Sequence, residues 1–116
     1  MHRALPGILI GGVAGTVVRW AIGEIGWSTN ATLLIVNTLG CAGLGAVVAI
    51  YADAEHRIRL TAGLGFCGGL TTFSGLAVQL AGQVDAGAAG DAAGLIAASV
   101  GLGLGAFAAG NKAVGR

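Results

Sequence analysis

Four stretches of this 116-residue chain, at about 4–22, 32–51, 60–80 and 92–109, are apolar almost throughout. Each is long enough to cross a bilayer, whose ~30 Å hydrocarbon core takes about 20 residues of helix. Main chain in hydrocarbon must satisfy its own hydrogen bonds, so such runs fold as helices packed into a bundle. Too little chain is left over for a soluble domain. The expectation is an all-α membrane protein, one four-span domain over residues 1–116, in contact with membrane lipid. Charge agrees: 9% of residues are Asp, Glu, Lys or Arg, against roughly 25% in soluble domains.

The first run follows Met1-His2-Arg3 and resembles a secretory signal at first sight. It continues past Gly15 into Val17-Val18, so an uncleaved first span is expected. Cys41 and Cys67 both fall inside spans, which argues against a disulfide framework. His2 and His56 fall outside them, so no Cys/His metal cluster or nucleophile pair is expected within the membrane. No carboxylate pair, catalytic triad or phosphate-binding loop is present, and the chain does not read as an enzyme. Nor does it carry a basic patch with interleaved aromatics, so nucleic acid is not an expected partner.

Loop charges give an orientation. With four spans, both termini and the middle loop share one side, and five of the six basic residues (Arg3, Arg57, Arg59, Lys112 and Arg116) lie there. The opposite loops hold Glu24, Asp85 and Asp91 with no Lys or Arg. The positive-inside rule therefore places both termini in the cytoplasm.

Glycine sets the packing. Gly11 and Gly15, Gly65 and Gly69, and Gly101 and Gly105 are each four residues apart, which puts small residues on one helix face where a neighbouring backbone can approach. Gly87–Gly90 reads as a turn between the last two spans.

The third run carries the most telling interruption: Gly65-Phe66-Cys67-Gly68-Gly69-Leu70-Thr71-Thr72-Phe73-Ser74. A Gly-Gly pair followed by three hydroxyl residues at mid-span is tolerated where freed backbone lines a cavity or holds an ion, so a broken third helix is expected. Further polar residues within spans are Arg19, Asn37, Thr38, Gln79 and Ser99. These are hydroxyls, amides and one arginine, without a carboxylate, and such a donor-rich set favours an anion. Asn37 either offers its N–H groups to that ion or bonds neighbouring backbone. Phe73 either presents its electropositive ring edge or fills core. Arg19 either snorkels to the headgroups or attracts anions at a vestibule. Four short helices cannot both enclose a polar path and shield it from lipid, so a dimer is the smallest expected assembly.

Taken together, Gly11-Gly12-Val13-Ala14-Gly15 leading to Arg19-Trp20, then 32–41 around Asn37-Thr38, then the third-run motif resemble the signature stretches of the Fluc/CrcB fluoride channels. The resemblance covers nearly the whole chain. It implies a passive, fluoride-selective channel that exports fluoride across the bacterial plasma membrane, built as an antiparallel dimer with a structural sodium ion at its centre. In that reading the backbone carbonyls of Gly68 and Thr71 hold the sodium. Asn37, Thr72, Phe73, Ser74 and Ser99 line the anion pathway, and Arg19 takes the place of the first-helix arginine.

The chain departs from the family pattern at Leu76, where a second pore phenylalanine is usual, and at Leu95, in place of a tyrosine. Together with the five-to-none loop asymmetry, this points to a subunit of fixed orientation paired with a related, oppositely oriented one. The rival readings are a non-conducting structural membrane subunit and a small proton-coupled exporter. The exporter needs an intramembrane carboxylate, and Glu24 at a span boundary is the nearest approach to one.

Overall fold

The computed structural model describes residues 2–115; Met1 and Arg116, the latter counted among the basic residues above, lie outside the described residues. A short 3-10 turn at His2–Ala4 leads into α1 (Leu5–Gly23), followed by α2 (Thr29–Ile50). The third span opens as a π-helix (Arg59–Cys67), passes through the single turn α3 (Gly68–Leu70) and resumes as α4 (Phe73–Asp85). The last helix is α5 (Ala89–Val114). Four helical stretches, His2–Gly23, Thr29–Ile50, Arg59–Asp85 and Ala89–Val114, are long and apolar enough to cross a membrane. The all-α fold expected from the apolar runs, with four helical stretches of spanning length, is the one observed.

The helix ends overrun the apolar runs, because capping rather than hydropathy sets them. Pro6 sits in the first turn of α1, where a missing N–H is harmless. Ser28 starts α2 early by accepting the N–H of Ala31 at 3.2 Å. The last turns of α5 stay helical past the apolar run, and there Asn111 donates to the carbonyl of Gly45 at 3.2 Å across the bundle. The connections turn at Gly26 (φ 96°) and Gly87 (φ 80°), left-handed positions that favour glycine.

Two helix pairs make the bundle. α1 lies against the π-helix and α3, α2 lies against α5, and α4 reaches both α2 and α5. The first pair touches main chain to main chain. A Cβ on Gly15 would collide with the carbonyl of Phe66 and come within 2.8 Å of the Leu70 nitrogen, and one on Gly65 would come within 2.7 Å of the Ile8 carbonyl. Gly11 and Gly69 are equally closed, by Thr61 and Gly12 backbone. Two of the three glycine pairs thus pack as expected. Gly101 and Gly105 do not, since nothing among the described residues lies within 4 Å of a Cβ at either. The reason is helical phase: the α5 face that meets α2 runs through Gly103 and Gly110, about 200° round the helix from 101 and 105.

Little of the chain is inside. Val36 is the one large side chain among the described residues that is almost fully covered, while Ile10, Val78 and Leu104 are about 70% exposed or more (69%, 74% and 69%). In a bilayer these side chains meet lipid tails or another subunit.

Candidate functional site

The site is built on the third span. Thr71 (φ −81°, ψ 157°) and Thr72 (φ −146°, ψ 111°) are extended, between α3 and α4. The N–H of Thr71 still reaches the carbonyl of Cys67 at 3.0 Å, but the N–H of Thr72 turns sideways to Oδ1 of Asn37 at 2.7 Å. The carbonyl of Gly68 therefore loses the donor four residues on and receives the Thr71 hydroxyl, at 3.4 Å. One turn later the N–H of Gly75 bonds to Thr72 Oγ1 at 3.0 Å, an N-cap, so the carbonyl of Thr71 loses its helical donor as well.

Asn37 holds this segment from the facing helix. Besides accepting from the Thr72 N–H, its Nδ2 donates to the Thr72 carbonyl at 3.3 Å. The two roles weighed for this side chain thus meet in one residue. Asn37 does bond backbone, and its second Nδ2–H is left over on a side chain that lines the cleft beside it.

That cleft is about 770 Å³ and lies between α2, the third span and α5. It brings together Asn37, Gly68, Thr71, Thr72, Phe73 and Ser99, with Leu76 beside Phe73 on the same wall. Ser99 Oγ is shielded and has no hydrogen-bond partner among the described residues, so a donor stands ready on the α5 side. Phe73 is 83% exposed, which removes core filling as its role within this chain. Two expected residues lie elsewhere. Ser74 faces outward with its hydroxyl 3.3 Å from Thr72 Oγ1, and Arg19, half-buried near the end of α1, is not among the lining residues.

The electrostatics are one-sided. Among the described residues no carboxylate lines the cleft; amide and hydroxyl donors do, together with a single cation, Arg59. No group of three His, Cys, Asp or Glu suited to a metal exists among the described residues, so a cation here has only neutral oxygens to bind. Sequence reading placed Arg59 in a loop and missed its position on the cleft. It also missed Asn30, whose Oδ1 accepts from both Gln79 (2.9 Å) and Gln83 (3.0 Å) and ties α2 to α4. Nothing in residue order alone signals either contact, because each depends on the register of two helices.

The family described as CrcB-like protein, Camphor Resistance (CrcB), matches residues 7–111. A protein named Fluoride-specific ion channel FluC 2 from Synechococcus sp. (strain CC9902) is 40% identical over 103 residues, covering 89% of this chain and 73% of that protein. FluC 1 of the same strain is 44% identical over 92 residues, 70% of each chain. The Fluoride-specific ion channel FluC of Erwinia tasmaniensis is 36% identical over 96 residues, 75% of each chain. With the family model spanning residues 7–111 and relatives this similar over most of their length, the chain belongs to the CrcB family.

Proposed function

We propose that the chain is a subunit of a passive fluoride channel in the bacterial plasma membrane, exporting fluoride down its gradient. The observation that carries this reading is the cleft at Thr71–Thr72, lined by donors without a carboxylate, in a chain whose relatives are named fluoride-specific channels. Removing fluoride from water strips strong hydrogen bonds, and replacing them takes N–H, O–H and electropositive C–H groups in sequence. Asn37, Thr72 and Ser99 supply the first two kinds, and the exposed ring of Phe73 supplies an edge. Ser74 continues the hydroxyl track outward, and Arg19 attracts anions towards its own end of the bundle.

The two extended threonines are the break in the third span. Their neighbourhood suits the sodium ion that the family resemblance implies: hard cations take oxygen ligands, and the carbonyls of Gly68 and Thr71 are two of those relieved of helical donors. Those two residues would hold the ion from this chain, and its charge would fix the break without being transported.

An open cleft and a protruding Phe73 call for a second subunit, arranged antiparallel so that each chain closes the other's path. Leu76 on the cleft wall and the basic residues gathered on one side favour a related partner of opposite orientation, with this chain's termini in the cytoplasm. That one Synechococcus strain has both a FluC 1 and a FluC 2 fits such pairing. Leu76 equally favours a second reading, in which this chain is a silent structural partner. Fluoride efflux from liposomes, measured for this protein alone and with a paired subunit, decides. Efflux that falls on mutating Asn37 or Phe73 supports a conducting role, efflux indifferent to both assigns the silent one, and no efflux in either setting overturns the proposal.

A further inference from the structure

One cation on the cleft has no part in the reading above. Arg59 is half-buried where the third span begins, and its Nη1 donates to the carbonyls of Tyr51 at 3.1 Å and Ala52 at 2.8 Å, beyond the end of α2. Among the described residues it makes no ion pair. A guanidinium has five N–H donors in a fixed fork, so two bonds from one nitrogen leave Nη2 and Nε free while holding the plane in place. On the same wall, Asn37, Cys41, Leu44 and Val48 repeat at helical spacing along α2. That stripe joins the Arg59 end to the Asn37 clamp about 20 Å away at 1.5 Å per residue. Between these two polar ends the wall is apolar.

We propose that Arg59 is the anion-capturing group at the mouth of the cleft on the side of the termini, raising the local concentration of fluoride that then reaches Asn37. This rests on the channel reading above. Neutral donors deep in the cleft bind an anion only after it has left bulk water, and a fixed positive charge at an opening with low-dielectric walls raises its occupancy there. The carbonyl anchors aim the charge, and among the described residues that line the cleft no carboxylate stands beside it.

The test is fluoride flux in liposomes containing wild-type protein, with its paired subunit where that is needed for conduction, against Arg59→Met, Arg59→Lys and Ala54→Glu. Ala54 is an exposed turn residue on the same opening, so a carboxylate there meets Arg59 without disturbing a helix. At low salt and low fluoride, R59M and A54E are expected to lower flux about fivefold and R59K less than about twofold. The deficits shrink as salt shortens the screening length. A purely structural anchor predicts the reverse pattern: R59K as impaired as R59M, A54E normal and no salt dependence, and that result overturns the inference. Wild-type protein that passes no fluoride in any pairing instead overturns the channel reading itself.

Discussion

Replacing Asn37 by leucine removes the clamp on Thr72 while keeping the branching and heavy-atom count of the side chain. The wild-type side chain accepts from the Thr72 N–H at 2.7 Å and donates to the Thr72 carbonyl at 3.3 Å. Leaving a buried polar group unsatisfied costs about 1–3 kcal/mol, and two groups are affected. Part is recovered if the Thr72 N–H swings back to the Gly68 carbonyl and straightens the span. A net loss of about 2 kcal/mol follows, or roughly a thirtyfold shift in the equilibrium. For a chain of this size that is a fall in melting temperature on the order of 5–10 °C. Thermal unfolding of purified protein in detergent, followed by loss of helical signal, reads it directly. Asn37→Asp separates the two roles of the residue, because it keeps an acceptor for the N–H but exchanges donors for negative charge. Most of the stability is expected to remain while fluoride flux drops at least about tenfold. An N37L variant that melts within about 2 °C of wild type would refute the clamp.

Three further outcomes are expected. Gly15→Ala pushes a methyl group into Phe66 and Leu70 backbone and should destabilise the bundle by about 1–3 kcal/mol, whereas Gly82→Ala meets nothing within 4 Å and should melt no lower than wild type. Leu76→Phe adds a ring edge beside Phe73 and should raise fluoride flux of the self-paired protein about fivefold, with Leu76→Ala giving no rise. Exchanging sodium for N-methylglucamine should lower thermal stability by about 2–3 kcal/mol relative to sodium at a hundredfold its dissociation constant, and re-addition should restore it; unchanged melting would remove the cation from the break.

The spans were legible because hydrocarbon admits few alternatives to a helix, and 20-residue apolar runs are hard to misread. Their ends were not, since Ser28 capping Ala31 is a local hydrogen-bond event that hydropathy does not register. The glycine spacing marked close-packing faces at Gly11 and Gly15 and at Gly65 and Gly69, without saying that they meet each other, and the same spacing at Gly101 and Gly105 faces away from the bundle. Spacing shows that two residues share a face; what that face meets is a tertiary fact. The candidate site divides in the same way. Thr71 and Thr72 announce themselves as polar groups at mid-span, but the bond from Thr72 to Asn37 joins positions 35 apart. Arg59 looked like an ordinary loop charge until the fold set it on the cleft.

At the crossing of α1 with the third span, backbone rests on backbone through Gly15, Gly65 and Gly69. No torsions lie between the two rods to absorb sliding, so the contact behaves as a rivet. It sets the depth of the Thr71–Thr72 notch, and any axial slip would have to carry both rods together. Under the proposed channel function, an ion passing such a notch meets stationary barriers, with the protein a fixed scaffold rather than a piston.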